Sequence, residues 1–373
     1  MSNASSVVIT VPWGLRAGGA ETMLWTFLRY VDRQRIEPTV VFLQDGPFVR
    51  EISQLGVSTV TIRAGRLRDA RRAAYTVRRL AEVISDNCDV LLNWTAKSHL
   101  YGASAAVVAG MTDRTLWWQH GIPTGHWLDR LATALPARAI GCSSHSSASA
   151  QSRLHPRRST FVVHPGVPAE VADSGNGASG LQLTSTSDEA VVGIVGRLQP
   201  WKGQHRFIRA IAELRRRGYP VRGLVVGGNS HNLSPGYDVA LRRLALDASV
   251  APFVTFTGHV ADPAQYIRTM DVLVNASRQE GFGIVVLEAM ALGVPVVAAA
   301  GSGPGEIVES GRSGVLLDSV DETSIANSLE LLLSDRRLRR RLGAAGRSHI
   351  REKFSAETMC RRLEAALEGI AAA

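Results

Sequence analysis

The sequence predicts an α/β protein made of two doubly wound parallel-sheet domains of the Rossmann type. Short apolar runs alternate with segments of helical periodicity in both halves of the chain, the pattern of a parallel sheet with helices on its faces. Glycine-bearing loops follow several of these runs. Between the halves, residues 169–188 are rich in Gly, Ser, Thr and Asp, which is the composition of a linker.

The N-terminal half contains seven apolar runs that indicate strands. These are Val7–Val11, Thr39–Leu43, Thr59–Ile62, Asp89–Trp94, Arg114–Trp118, Ala137–Cys142 and Thr160–Val163. Helical periodicity lies between most of them, including Glu21–Tyr30, Leu67–Ile84 and Tyr101–Ala109. Ligands of such sheets bind at the carboxyl ends of the strands, so the loops after these runs are the places to look for a site.

Two loops of this half carry candidate residues. Gly18 and Gly19 follow the first strand and open a helix, where their backbone can closely approach a phosphate or a sugar; a tight strand–helix turn is the alternative. His120 follows the fifth strand and precedes Gly121, which suits a residue lining a cleft. A purely structural histidine is the alternative there.

The C-terminal half repeats the pattern with six further strands. These are Ala190–Val195, Val221–Val226, Phe253–Phe256, Val272–Asn275, Pro295–Ala298 and Gly314–Leu317. Helices are predicted at Gln204–Arg217, Ile284–Leu292, Leu329–Leu342 and Ala356–Leu367.

The loop Gly196–Gly203, after the first of these strands, contains two cations. Arg197 offers a planar fork to phosphate oxygens and Lys202 a mobile point charge. Two cations at the carboxyl end of a parallel strand, facing a helix N-terminus, describe a diphosphate site. A solvated pair of charges is the alternative.

The stretch from Arg278 to Glu288 joins a buried strand to a helix. Gly281 and Gly283 allow close backbone approach at the helix N-terminus, where free N–H groups and the helix dipole favour an anion. Glu280 stands before this site and Glu288 lies inside the helix, so that carboxylates are available for sugar hydroxyls. A buried turn with one structural and one solvated glutamate is the alternative.

Two more loops follow strands on the same sheet edge. Gly228 ends one strand as half of a glycine pair, and Val260 closes the Gly-His-Val sequence after the next. Both positions suit the base or the ribose of a nucleotide.

Composition narrows the class of protein. The chain has 373 residues, 45% hydrophobic and 20% charged, which describes a folded protein of two ordinary domains. We find no apolar run long enough to span a bilayer and no signal peptide in the N-terminal residues. Three scattered cysteines show neither metal spacing nor a disulfide framework. These observations predict a cytoplasmic protein without a metal site.

The formal net charge is +9, which suits phosphate-bearing ligands, an anionic membrane surface or nucleic acid. The basic residues are spread and aromatic residues are only 6%, so a nucleic-acid partner is disfavoured. The densest cluster, Arg66–Arg79, predicts either a solvated helix face or a peripheral membrane contact. Oligomeric state is not predicted.

Together these motifs resemble glycosyltransferase family 4, a large family of retaining, nucleotide-sugar-dependent enzymes of the GT-B fold. The resemblance covers nearly the whole chain and depends on the order and spacing of its pieces. The pieces are Gly18-Gly19-Ala20-Glu21, Gly196–Gly203, Glu280 with Glu288, Gly293–Val297 and Gly303–Glu306. The chain departs from the family at His164, where asparagine is common, and at Gly301–Gly303, where a glycine pair is more usual.

The resemblance implies two Rossmann-like domains facing across a cleft. Residues 1–168 with 352–373 would bind the acceptor, and residues 189–351 would bind the donor. Arg197 and Lys202 would neutralise the diphosphate leaving group. The backbone amides that would hold the donor phosphate and sugar are those of Phe282, Gly283 and Ile284.

The remaining roles are also implied by the resemblance. Glu280 would bind hydroxyls of the donor sugar near the reacting carbon, and Glu288 the hydroxyls of the ribose. Gly18 and Gly19 would approach the phosphate from the other domain, and His120 would contact the sugar near the acceptor. With Arg197 and Lys202, Glu280 and His120 are the candidate catalytic residues.

The implied reaction moves a sugar from a UDP- or GDP-linked donor, used as a co-substrate, to an acceptor hydroxyl with retention of configuration. It needs no cofactor and no divalent metal, and the sequence has no Asp-x-Asp motif. The acceptor could be a small natural-product core, such as an aminoglycoside aminocyclitol, or a lipid-linked or phosphoinositide saccharide. A catalytically silent nucleotide-sugar binding protein is the alternative function.

Overall fold

The computed structural model describes residues 4–16, 18–65, 69–86, 88–173, 189–229 and 234–372. Its contacts divide the chain into two compact units. The first comprises Met1–Gly166 and Ala356–Ala373, and the second comprises Val167–Ser355. Of the expected linker, residues 169–173 form a short helix of the second unit, and residues 174–188 lie outside the described residues.

The first unit contains a parallel sheet of seven strands. The strands are β1 (Ser5–Val11), β2 (Ile36–Phe42), β3 (Ser58–Thr61), β4 (Val90–Asn93), β5 (Thr115–Gln119), β6 (Ala139–Cys142) and β7 (Ser159–Val162). Their order is β3-β2-β1-β4-β5-β6-β7, so β1 pairs in parallel with both β2 and β4. The order reverses between β1 and β4, which is the topological switch point of this sheet.

Helices connect these strands, as the alternating pattern predicts. They are α1 (Gly19–Tyr30), α2 (Pro47–Ser53), α3 (Ala70–Ser85), α4 (Ala96–Val108), α5 (Trp127–Ala134) and α6 (His145–Ser152). The first two residues of the predicted helix Leu67–Ile84 lie outside the described residues, and the rest of the prediction corresponds to α3. Three tryptophans, Trp94, Trp117 and Trp118, are fully buried at this sheet and supply much of its apolar volume.

The second unit repeats the architecture with six parallel strands. They are β8 (Ala190–Val195), β9 (Val221–Val226), β10 (Val254–Gly258), β11 (Val272–Asn275), β12 (Val296–Ala299) and β13 (Val315–Leu317). The order is β10-β9-β8-β11-β12-β13, which places the switch point between β8 and β11. The prediction of two doubly wound parallel sheets is confirmed.

The helices of the second unit lie on both sides of its sheet, where two apolar clusters fill the space. They are α7 (Ala169–Asp173), α8 (Gln204–Arg216), α9 (Tyr237–Asp247), α10 (Ala264–Ile267), α11 (Ile284–Ala291), α12 (Glu322–Ser334) and α13 (Arg336–Lys353).

The prediction of one helix over Leu329–Leu342 is wrong. The chain breaks at Asp335, whose carboxylate accepts hydrogen bonds of 2.9 Å from the N–H groups of Arg337 and Leu338. This capping begins α13 as a separate helix. Apolar residues continue on both sides of Asp335, so their periodicity alone does not reveal the break between the two helices.

The final helix, α14 (Ala356–Ala371), belongs to the first unit. Arg35 holds it there, with guanidinium contacts of 2.8 Å to Glu364 and 2.5 Å to Glu368. The side chain of Glu364 is only 3% exposed, and its other oxygen accepts the N–H of Asp32 at 2.9 Å. A carboxylate this deeply buried depends on such partners.

Among the described residues, no helix is both long enough and apolar enough to cross a membrane.

We expect Arg35→Ala to destabilise the first unit, because Glu364 keeps its burial and loses its cation. The expected cost is about 2 kcal/mol, below the range for fully buried pairs because Arg35 is partly exposed, and the melting temperature should fall by roughly 4–8 °C. Arg361→Ala removes an exposed arginine from the same helix and is the matched control for thermal unfolding. Equal melting temperatures for the two variants would contradict the role of Arg35.

Candidate functional site

The candidate residues of the second unit meet where its strands end. Parallel strands bring their carboxyl ends to one edge of the sheet, and a ligand site is expected at the switch point. There, Gly203 approaches the loop after β11 so closely that a Cβ atom would lie 2.5 Å from the carbonyl oxygen of Ala276. Its φ of +79° also favours glycine. This contact joins the loop after β8 to the loop after β11.

The loops after β8, β9 and β10 are also joined through their backbones. A Cβ atom on Gly227 would lie 2.1 Å from the carbonyl oxygen of Gly196. Leu198 donates its N–H to the carbonyl of Gly228 at 3.0 Å, and Gly227 donates to Gly258 at 3.1 Å. Gly228 therefore lies beside the cation loop, at the same edge that β10 and its following residues reach.

Lys202 and Glu280 form an ion pair, with 2.6 Å between Nζ and Oε2. Their side chains are 15% and 12% exposed, so the pair is largely shielded from water. The lysine ammonium also lies 4.3 Å from the ring centroid of Trp201, within cation–π range. The lysine predicted to bind the diphosphate and the glutamate predicted to bind the sugar are thus neighbours. Their mutual attraction stabilises both charges in a position that water solvates poorly.

Arg197 lies on the same loop, and its guanidinium makes no hydrogen bond or ion pair within the described parts of the chain. Its backbone carbonyl accepts the side-chain amide N–H of the buried Gln204 at 2.9 Å, which fixes the loop. Arg206 lies nearby and donates to the carbonyl of Ala276 at 3.2 Å. Burial, and then the positive charge of Arg278, lower the pKa of Arg206. Several cations therefore crowd this edge of the sheet.

The loop after β11 turns into α11 at Gly283, whose φ is +102°. The backbone of Glu280 is held by Gly303, which donates to its carbonyl at 3.0 Å. Phe282 packs its ring into the core and is 4% exposed, so its side chain does not extend toward a ligand. No side chain caps α11, and the first N–H groups of a helix lack intrahelical acceptors.

Further along α11, Ile284 and Glu288 are four positions apart and share one partly exposed face of the helix. Val260 follows β10 and packs against the apolar cluster that also contains Phe282. The donor-site residues predicted in the second unit thus belong to the carboxyl edge of its sheet, with Glu288 one helical turn beyond it, whereas Gly18 and Gly19 lie in the first unit.

The candidate residues of the first unit surround Trp94, at the switch point between β1 and β4. Its indole N–H donates to the carbonyl of Ala20 at 2.8 Å, next to Gly18 and Gly19. Its ring centroid lies 4.9 Å from that of His120. Gly18 is in an extended conformation and precedes α1 without a capping side chain, so this helix N-terminus also offers uncapped N–H groups.

His120 is held in place by hydrogen bonding and aromatic packing. Its Nδ1 atom lies 3.1 Å from the hydroxyl oxygen of Ser143, and its ring packs against Trp94 and Trp118. Burial lowers the pKa of His120 to about 3, although the carbonyl of Trp94 opposes the shift. The ring is therefore neutral near pH 7, which suits a hydrogen-bond donor or acceptor rather than a cation.

Sequence analysis missed three side chains that organise these positions: Trp94, Ser143 and Gln204. Trp94 was predicted only as a strand residue, and Gln204 only as the start of a helix. Ser143 directly follows β6, so its place after a strand was a signal of the same kind as that of His120. A single serine after a strand is too common in sequences to single out without the fold.

Comparison with known proteins finds a family model that matches the second unit. The family model described as glycosyl transferases group 1 matches residues 182–349. A D-inositol 3-phosphate glycosyltransferase of Stackebrandtia nassauensis is 39% identical over 199 residues, covering 50% of this chain and 44% of the relative. A GDP-mannose-dependent alpha-(1-6)-phosphatidylinositol monomannoside mannosyltransferase of Mycolicibacterium smegmatis is 38% identical over 192 residues, covering 49% and 48%. The chain thus spans about half the length of the curated relatives it matches.

Solved structures match over nearly the full length. The crystal structure of Anabaena HepE in complex with UDP and glucose has a TM-score of 0.85 and 26% identity, covering 97% of this chain and 99% of that one. The same protein in complex with UDP-glucose gives 0.86 at 25% identity, covering 98% and 99%. These structural matches bear out the GT-B fold, and the match of residues 182–349 bears out the resemblance to the group 1 glycosyl transferases.

We expect the imidazole of His120 to stay neutral from pH 5 to pH 8, because its pKa is lowered to about 3. An unfolded histidine, with a pKa of about 6.5, would take up a proton in this range. Its burial therefore reduces stability as the pH falls below the unfolded value. NMR titration of ring nitrogens, assigned with His120→Gln, measures this directly, and a charged ring at pH 6 would contradict it.

Proposed function

We propose that this chain moves a sugar from a nucleoside-diphosphate sugar to an acceptor hydroxyl, because its residues 182–349 match the family model of the group 1 glycosyl transferases. The observation that carries the proposal is the Lys202–Glu280 pair, 2.6 Å apart, on the same sheet edge as Arg197. Cations for a diphosphate and a carboxylate for sugar hydroxyls thus stand side by side.

The diphosphate of the donor would bind Arg197 and Lys202. Arg197 has a guanidinium fork without an acceptor among the described side chains, and a phosphate accepts two of its N–H groups well. The uncapped N-terminus of α11, with the amides of Gly283 and Ile284, would add hydrogen bonds and a favourable dipole. HepE, which was crystallised with UDP-glucose, supports a UDP-linked donor, and the mannosyltransferase relative, which depends on GDP-mannose, a GDP-linked one.

Glu280 would bind hydroxyls of the donor sugar, and Glu288 those of the ribose. Donor binding would then replace the direct contact between Lys202 and Glu280 by contacts of each residue to the ligand. The diphosphate would take the lysine and the sugar would take the carboxylate, so neither charge would be left unpaired. An intact nucleotide sugar satisfies both residues, whereas a nucleoside diphosphate satisfies only the lysine.

In the proposed reaction, the bond between the anomeric carbon and the diphosphate oxygen breaks, and its electron pair stays on the diphosphate. The acceptor hydroxyl attacks from the same face, and its proton passes to the departing phosphate oxygen. Arg197 and Lys202 would stabilise the charge that develops on the leaving group. Configuration would be retained, and neither a protein base nor a divalent metal would be needed.

The acceptor would be a hydroxyl compound bound by the first unit. Relatives named for inositol 3-phosphate and for a phosphatidylinositol monomannoside favour a polyol or glycolipid over an unrelated natural product. In α3, the arginines Arg78 and Arg79 both pair with Glu82, which reduces the charge that this helix offers to a membrane. A small acceptor, such as an aminocyclitol, therefore remains part of the proposal beside the lipid-linked one.

The alternative is a protein that binds nucleotide sugars without transferring them. Arg197 and Lys202, proposed to act on the leaving group, and Glu280, proposed to bind the sugar, are all present, which favours an enzyme. Transfer assays separate the two possibilities.

We expect one of UDP, GDP, ADP and dTDP to raise the melting temperature without magnesium, because a ligand that binds the folded state stabilises it. Lys202→Ala should weaken that binding about 10- to 100-fold, from the loss of a charged hydrogen bond of about 1.5–3 kcal/mol. Calorimetry measures both proteins. Arg209→Ala removes an exposed cation from α8 and should bind like wild type. If no nucleotide binds, or if both variants bind equally, the donor site is wrong.

With the nucleotide that binds, we expect sugar transfer that retains the donor's anomeric configuration and is unaffected by EDTA. Glu280→Gln should lower kcat about 100-fold, because it weakens contacts to the reacting sugar. Glu352→Gln changes an exposed carboxylate of the same unit and should leave kcat unchanged. NMR of the product identifies the anomer; inversion, or dependence on metal, would overturn the proposed mechanism.

A further inference from the structure

The two ring nitrogens of His120 have different surroundings. Nδ1 lies 3.1 Å from the hydroxyl oxygen of Ser143. Nε2 is buried and makes no well-aligned hydrogen bond in the part of the chain that the structure describes, although the backbone carbonyl of Trp94 lies near the ring. A neutral imidazole carries one hydrogen, and the group that faces Nδ1 decides which nitrogen has it.

Ser143 is constrained by a second neighbour, Trp118. The indole N–H of Trp118 points to the same hydroxyl oxygen at 3.1 Å, and an indole nitrogen can only donate. Ser143 therefore accepts from Trp118 and must place its own hydrogen elsewhere. The available acceptors are Nδ1 of His120 at 3.1 Å and the thioether sulfur of Met23 at 3.8 Å.

Between these two acceptors, the imidazole nitrogen is the better one, since a thioether accepts only weakly. The hydroxyl of Ser143 thus donates to Nδ1, which carries no hydrogen. The single hydrogen of the neutral ring is then on Nε2. Trp94 and Trp118 pack against the ring, so it cannot readily turn to exchange the two nitrogens.

We propose that Ser143, oriented by Trp118, is a positioning residue that fixes His120 as the Nε2–H tautomer, so that His120 offers a hydrogen-bond donor, and not a base, to an oxygen of a substrate bound by the first unit. The proposal rests on the proposed function for the ligand only; the tautomer follows from the first unit's own contacts. A buried N–H without a well-aligned acceptor destabilises the folded protein. A substrate oxygen that accepts it would recover that free energy. Because Nε2 is covered, local movement has to accompany this contact.

The tautomer can be measured without any substrate. In protein with ¹⁵N-labelled histidine, long-range proton–nitrogen correlation distinguishes protonated from unprotonated ring nitrogens. We expect wild type to show the hydrogen on Nε2, and Ser143→Ala to show a mixture, because Nδ1 loses its donor. Ser143→Thr keeps the hydroxyl and should restore the wild-type pattern.

Ser144→Ala is the matched control. Ser144 is also fully buried and follows directly in sequence, but its hydroxyl caps α6 by accepting the N–H of Ser147 at 2.9 Å. This variant should lose stability and keep the wild-type nitrogen pattern. Comparing the two alanine variants thus separates a loss of packing or capping from a change of tautomer.

Kinetics provide the second measurement. His120→Gln keeps an amide N–H donor without a basic nitrogen and should retain about 10-fold more kcat than His120→Ala, the effect of about one hydrogen bond. Ser143→Ala should lower kcat about 10-fold in wild type but have little further effect in the His120→Gln background. Additive losses in that double variant would show that Ser143 does not act through His120.

Each outcome bears on a different claim. Absence of transfer in wild type, with Nε2–H observed, would sink the proposed function and leave the tautomer standing. Transfer with the hydrogen on Nδ1, or with an unchanged nitrogen pattern in Ser143→Ala, would overturn the role of Ser143 alone.

Discussion

The close backbone approach at the switch point of the second unit is the constraint on which its site depends. Gly203 lies against the carbonyl of Ala276, leaving no room for a Cβ atom. Any larger residue would push the loop after β8 away from the loop after β11. Lys202 and Glu280 extend from these two loops, and their contact of 2.6 Å exists only because the backbones meet. The ion pair at this edge of the sheet therefore depends on the absence of a side chain at Gly203.

The first unit reaches an equivalent topology by different means. At its switch point, a large aromatic residue, Trp94, spans the space between the start of α1 and His120. Two of the groups that it contacts, the carbonyl of Ala20 and the ring of His120, are neutral. A site built from buried rings and fixed donors can orient a neutral sugar or polyol, whereas one rich in cations can hold a diphosphate. The two units thus differ in the chemistry that their otherwise similar sheets can perform.

The strands were predictable because each is a short apolar run with polar or glycine residues at its ends. Val272–Asn275 was predicted at the bounds observed for β11, since Asp271 and the following loop mark its limits. The break at Asp335 was missed because apolar periodicity runs through it, and only the capping hydrogen bonds reveal two helices. Local pattern therefore located the buried segments better than it located the ends of helices.

The sequence predicted which loops form the candidate site, but it did not predict which side chains contact each other there. Lys202 and Glu280 are 78 positions apart. Their places after two strands of one sheet predict a common edge, but the sequence gives no distance between them. Ser143 shows the limit more clearly, because its partners Trp118 and His120 come from a neighbouring strand and the loop after it. The direction in which a hydroxyl donates depends on both neighbours at once, which no single segment encodes.

The position of α14 has a consequence for how the chain is made. Two contacts of the first unit join residues far apart in sequence. Arg35 contacts Glu364, 329 positions later, and the backbone carbonyl of Phe27 accepts from the thiol of Cys360. During synthesis, the second unit can therefore finish folding before the first has received its last helix. Until then, the surface of α1 that α14 covers stays exposed, and a nascent chain interrupted before residue 356 would present it to other proteins.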